Sequence, residues 1–173
     1  DSNSDGVCEA FSIAGITGTT LRYGRLVSDN AFGPETMPLT PPIYAQYFNG
    51  SGYVTNSADS CTVITAAAFD FGSGSYTATP AQGVMSFPIG SGTSTASLGS
   101  TTLSAGALGL TLSAPGAGKT GEIDYSINLT TAGASWLQDD WNGDGTRTDN
   151  PRARASFGIY KGTGKVIFRR DQW

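Results

Sequence analysis

The chain has 173 residues, a net charge of -4, no histidine and a hydrophobic content of 38%; that is enough apolar material for a packed core. Charged residues make up only 14%, against roughly 25% in an average globular chain, and glycine fills 24 positions, about twice its usual ~7% share. The acidic balance disfavours nucleic acid as a partner, the lack of histidine removes the commonest general base and most catalytic zinc ligands, and the scarcity of strong helix formers argues against a helical bundle.

Taken in chain order, strand signals dominate. Cys8, one of two cysteines, precedes a β-favourable stretch at 19–27. Residues 28–42 carry Pro34, Pro38, Pro41 and Pro42 and read as a loop. A strand with aromatics on both faces follows at 43–48. Asn49, Gly50, Ser51 and Gly52 make a hairpin-type turn, and Tyr53–Thr55 returns from it. The second cysteine, Cys61, opens a run at 61–69 that reads as a mostly buried strand. Pairing it with Cys8 closes a loop of ~50 residues and stabilises by about 4 kcal/mol in the chain-entropy model. The competing reading is two buried thiols, and the extracellular style of the composition favours the disulfide.

The second half continues in the same manner. Short candidates lie at 75–79 and 84–87. Residues 88–97 are low in complexity and read as a flexible connector. Residues 98–103 and 108–112 suggest a hairpin around Ser104, Ala105 and Gly106. The turn at 114–120 ends in Gly118, Lys119 and Thr120, like the tail of a phosphate loop. Position 113 is Ser rather than the required Gly, and a strand follows instead of a helix. Residues 122–130 alternate most cleanly, with Ile123, Tyr125, Ile127 and Leu129 on one face. A last hairpin is predicted from 153–160 and 165–169.

No segment shows an amphipathic helical period, and no apolar stretch approaches the ~20 residues of a membrane-spanning helix. About ten short strands at this spacing predict one all-β domain over 1–173, an antiparallel β-sandwich of the immunoglobulin-like or jelly-roll kind. Two β-subdomains, 1–88 and 98–173, are the alternative.

The chemically informative stretch is 136–151. Asp140, Asn142 and Asp144 are spaced two apart, and Gly145 follows, as in the first half of a helix-flanked calcium loop. Calcium takes 6–8 oxygens, and alternate residues of a tight loop can converge on it. The carbonyl of Thr146 is the natural next ligand. The twelfth position is Pro151, which carries no carboxylate, so Asp149 is the residue left to close the site, with Asp139 as a spare acid. Calcium is therefore expected as a structural ion, against the plainer reading of a solvated turn. Trp136 and Trp141 bracket the acidic run as covers or, with Tyr53, as contact aromatics for a ligand. The basic residues from Arg147 onward read as exposed strand charges. No acid pair sits in a catalytic context, so the chain is read as a non-enzyme.

The run W-L-Q-D-D-W-N-G-D-G at 136–145 and N-P-R-A-R-A-S-F-G-I-Y-K-G at 150–162 resemble the C-terminal domain of MshQ-like proteins. So do L-R-Y-G-R-L at 21–26, N-A-F-G-P-E-T at 30–36, A-Q-Y-F-N-G-S-G-Y-V-T-N at 45–56 and D-S-C-T at 59–62. Asn142 stands where that pattern commonly has Asp. The resemblance implies a module of secreted, multidomain surface proteins associated with the mannose-sensitive haemagglutinin pilus of Gram-negative bacteria. It places the chain at the cell surface, with other surface or pilus proteins as partners. Two further expectations stand beside that one: a filament subunit that self-associates by strand addition, and a carbohydrate-binding module recognising glycans through Trp136, Trp141 or Tyr53.

Overall fold

A computed structural model describes residues 22–72 and 85–159. Ten strands lie among them: β1 (Gly24–Ser28), β2 (Ala31–Gly33), β3 (Pro42–Phe48), β4 (Tyr53–Thr55), β5 (Phe69–Asp70), β6 (Met85–Ile89), β7 (Gly92–Leu98), β8 (Ala107–Leu112), β9 (Gly121–Ile127) and β10 (Arg152–Phe157). They build two sheets. The larger runs β1-β3-β8-β7-β6, with β4 also paired to β3; the smaller runs β2-β10-β9-β5. The all-β sandwich expected from the alternation is what the chain forms, and helix among the described residues is confined to single 3-10 turns at Ala66–Ala68 and Ser135–Leu137.

The core lies between the sheets because each strand turns its apolar positions one way. Leu26, Ile43, Ala45, Phe87, Leu108, Leu110 and Leu112 point in from the larger sheet, and Phe69, Ile123, Tyr125, Ile127, Ala155 and Phe157 from the smaller. Phe71 joins the layers. It stacks on Phe87 with ring centroids 4.6 Å apart and lies 5.4 Å from the ring of Tyr125. Burying an aromatic or branched side chain of this kind stabilises by roughly 1.5–3 kcal/mol. Ser28 hydrogen-bonds the Tyr125 hydroxyl at 2.8 Å, so this buried ring keeps a polar partner.

Several local expectations are corrected. Residues 88–97 are not a connector: β6 and β7 form an antiparallel hairpin through Gly90 and Ser91, with Met85 opposite Ala96 and Ile89 opposite Gly92. Their inward positions include Ser94 and Ala96, both fully buried, so the period-two signal is carried by small residues that hydropathy does not register. The Ser94 hydroxyl is satisfied by the Ser113 carbonyl at 2.7 Å. The run at 61–69 is not one strand. It makes a single bridge between Val63 and Thr102, then the 3-10 turn, then β5. Three consecutive alanines lack the branched side chains that favour a pleat.

The proline-rich loop at 28–42 contains β2, which pairs with β10 in parallel, so the smaller sheet is mixed rather than antiparallel. Residues 99–103 form no strand, and the hairpin partner of β8 is β7. The turn before β8 has Ala105 at φ 49° and Gly106 at φ 79°. A Cβ at Gly106 meets the Asn56 carbonyl oxygen at 2.4 Å, so glycine is required there for space as well as for backbone conformation. The expected strands at 75–79 and 165–169, and Cys8, lie outside the described residues.

Candidate functional site

The loop at 139–149 is carried to its place by apolar anchors. After β9, Leu129, Ala134 and Leu137 are buried in turn. Leu137 packs under β1, where a Cβ on Gly24 would lie 3.2 Å from its Cδ2 atom. The chain then passes to the outer face of the larger sheet. Arg25 and Gln46, opposite each other in β1 and β3, lie on that face, because their neighbours Leu26 and Ala45 point into the core.

Asp139 latches the loop there. Its carboxylate accepts hydrogen bonds from Arg25 Nη1 at 3.0 Å, Arg147 Nη1 at 2.9 Å and the Tyr23 hydroxyl at 3.1 Å. Arg25 also donates through Nε to Gln46 at 3.0 Å, and its guanidinium lies over Tyr53 at 3.6 Å and Trp141 at 5.0 Å from the ring centroids. Arg147 covers the Tyr23 ring at 4.5 Å and reaches the Tyr23 and Tyr53 hydroxyls. Burial alone would raise the Asp139 pKa, but Arg25, the Asp140 N–H and Tyr23 outweigh it and hold the carboxyl below its ordinary range. The hydrogen bonds that Arg147 donates to the Tyr53 and Tyr23 hydroxyls push its pKa up, so it stays a cation throughout.

Inside the loop each acid organises backbone. Asp139 and Asp149 exchange N–H to carbonyl bonds of 3.3 and 3.0 Å and close its base. Asp140 accepts the amides of Gly143, Asp144 and Gly145 at 2.7, 3.0 and 2.9 Å. Asp144 accepts the amide and hydroxyl of Thr146 at 2.7 and 2.6 Å. Asp149 accepts the amides of Trp141 and Asn142 at 3.1 and 3.0 Å. Gly143 and Gly145 sit at φ 78° and 86°, which lets the chain turn tightly enough for these bonds.

The residues singled out for an ion, Asp140, Asn142, Asp144, Thr146 and Asp149, thus share one hydrogen-bonded loop. Among the described residues, however, no three or more acid, cysteine or histidine side chains are grouped to hold a metal. The Asn142 amide nitrogen occupies the space between acids, 3.0 Å from Asp144 Oδ2 and 3.5 Å from Asp149 Oδ1. Oxygen donors suited to calcium are present in number, but in this arrangement N–H groups satisfy them. An ion there requires the Asn142 amide to swing its nitrogen away.

Asp139 proves to be the latch rather than a spare acid. Tyr53 lies beneath Arg25, Trp141 is 42% exposed, and Trp136 is 65% exposed. Cys61 is exposed, and the Cys8 half of the expected disulfide lies outside the described residues. Sequence reasoning missed Tyr23, Arg25 and the inward role of Arg147. The one hint was a lone arginine inside an acidic turn. Arg154 does sit on an exposed strand face, paired with Asp124 and Glu122 of β9.

Two open hollows lie on the surface, one beside the loop and one on the smaller sheet, and both include Arg152. One, of about 400 Å³, is lined by Trp141, Asn142, Asp149, Asn150 and Arg152. The other, of about 520 Å³, lies on the outer face of the smaller sheet between Asp70, Asp124, Arg152 and Arg154.

Fold and site together define an all-β two-sheet domain that carries an ion-paired acidic loop on its surface. The sequence over residues 22–172 matches the family described as DUF6701, fourth domain, and the chain belongs to that family. No curated protein and no solved structure matches it.

Proposed function

We propose that this domain is an extracellular structural and adhesive module of a pilus-associated or surface-anchored Gram-negative protein, as the resemblance to MshQ-like proteins implies. One observation carries the reading: the latch of Asp139, Arg25 and Arg147 holds a rigid loop outside the sandwich, with Trp141 and polar side chains displayed beside it. An ordered display of aromatic and polar groups on a stiff β frame is what contact with another surface needs. A non-catalytic role is supported by the absence of histidine and by loop acids that organise backbone amides. Calcium belongs to the same reading as a structural ion at Asp140, Asn142, Asp144, Thr146 and Asp149, stiffening the loop when it displaces the Asn142 amide.

The test is adhesion under flow. Beads coated with the purified chain should stay on bacterial lawns or epithelial layers several-fold better than albumin-coated beads. Equal detachment of the two would remove the adhesive reading. Fibres of the purified chain in electron micrographs would replace it with the filament subunit.

A further inference from the structure

The hollow beside the loop has a chemistry of its own, and we propose that it binds a neutral pyranose, the sugar unit of a surface glycan; this rests on the adhesive reading. Its wall is the indole of Trp141, still 42% exposed although the Arg25 guanidinium lies 5.0 Å from the ring centroid. That contact positions the ring before any ligand arrives, so little ordering remains at binding. The apolar C–H face of a pyranose suits an aromatic surface of this kind.

The polar groups around the ring have unused capacity of both signs. Asn150 spends its Oδ1 on the Leu129 amide at 3.0 Å and on Gln138 Nε2 at 3.1 Å. Its side chain is thereby oriented, and its Nδ2 has no partner among the described residues. Asp149 spends Oδ2 on two loop amides and leaves Oδ1 with only the 3.5 Å contact from Asn142. Arg152 lines the hollow, and its side chain makes no hydrogen bond or ion pair among the described residues. It is exposed at the start of β10, unlike Arg154, which is held by two acids. Donors on Asn150 and Arg152 beside an acceptor on Asp149 match adjacent hydroxyls, each of which donates and accepts.

Charge selects among sugars. Asp149 and Arg152 are the charged residues that line the hollow; around it the loop acids Asp139, Asp140, Asp144 and Asp149 outnumber Arg25, Arg147 and Arg152 by one, so a uronic acid or sulfated sugar meets a small net repulsion. The volume, about 400 Å³, falls within the ~300–1,000 Å³ of small-ligand sites. Being open to solvent, the hollow suits weak single contacts that strengthen through many copies.

Saturation-transfer NMR on the whole chain tests this, with methyl β-glucopyranoside, methyl β-galactopyranoside and N-acetylglucosamine as neutral probes and methyl β-glucuronide as the charged one. At least one neutral probe should receive saturation, more than the glucuronide does. Trp141→Ala and Arg152→Ala should each weaken it roughly tenfold, the effect of losing a central contact, and Trp136→Ala should not. Among the described residues the Arg152 side chain has no partner to lose, so its variant remains informative if Trp141→Ala fails to fold. No transfer from any neutral probe, stronger transfer from the glucuronide, or transfer untouched by Arg152→Ala overturns the site. Beads that still adhere while no probe binds sink this site and leave the adhesive role standing.

Discussion

Replacing Asp139 by Asn keeps the side chain's shape and removes its charge, leaving Arg25 and Arg147 facing an amide. Arg25 is the partner that matters. Its side chain is 24% exposed and that of Asp139 only 7%, at 3.0 Å, so solvent screens this pair little. A hydrogen bond to a charged group at such a site contributes about 1.5–3 kcal/mol. Arg147 is 55% exposed, and solvent screening leaves it little to add. For a chain of this length each kcal/mol moves Tm by roughly 2–4 °C, so Asp139→Asn should melt about 3–12 °C below the wild type at pH 7.

The pH dependence has a definite sign. The folded pKa of Asp139 is depressed, so its stabilisation is complete above the unfolded value of about 3.9. It is lost as pH falls through the folded pKa. Melting followed by near-UV circular dichroism between pH 3 and 7 should show a constant gap down to about pH 4, then a narrowing one. A variant that melts with the wild type at pH 7, or a gap that widens in acid, would refute the latch.

Gly106 and Gly143 share nearly the same positive φ, 79° and 78°, but a Cβ at Gly106 strikes the Asn56 carbonyl oxygen while nothing lies within 4 Å of one at Gly143. Gly143→Ala should cost about 1–2 kcal/mol, the strain of the left-handed backbone, and Gly106→Ala clearly more, as read by urea unfolding; equal costs would argue against the Asn56 contact. Burial raises the Tyr125 pKa to about 12 against the opposing Ser28 hydrogen bond. Stability should therefore fall above the ordinary tyrosine pKa of about 10 as pH rises towards the folded value, and Tyr125→Phe should remove part of that fall. Millimolar calcium should raise Tm by several degrees over chelator, and Asn142→Asp should enlarge the shift by replacing an N–H donor with a carboxylate. No shift in either protein removes the ion from the loop.

How much was legible differs from element to element. Residues 122–130 alternate large apolar and polar side chains, and β9 follows with Ile123, Tyr125 and Ile127 buried. The 88–97 stretch alternates too, but with Ser94 and Ala96 inward, and small side chains carry almost no hydropathic contrast. β2 has only three residues and exists because β10 offers it an edge, a fact with no local trace. The acid spacing at 140–149 announced a tight loop, and the intraloop bonds supply its physical content.

Periodicity, turn residues and acid spacing act between neighbours in the chain, so the sequence by itself determined an all-β sandwich and an acidic surface loop. Where that loop sits was decided only in three dimensions. Asp139 meets Arg25 and Tyr23 from 114 and 116 residues away, and no local pattern records a partner at that distance. The sandwich brings the edge of one sheet beneath the loop, and burial then makes an otherwise ordinary aspartate the charge on which two arginines close.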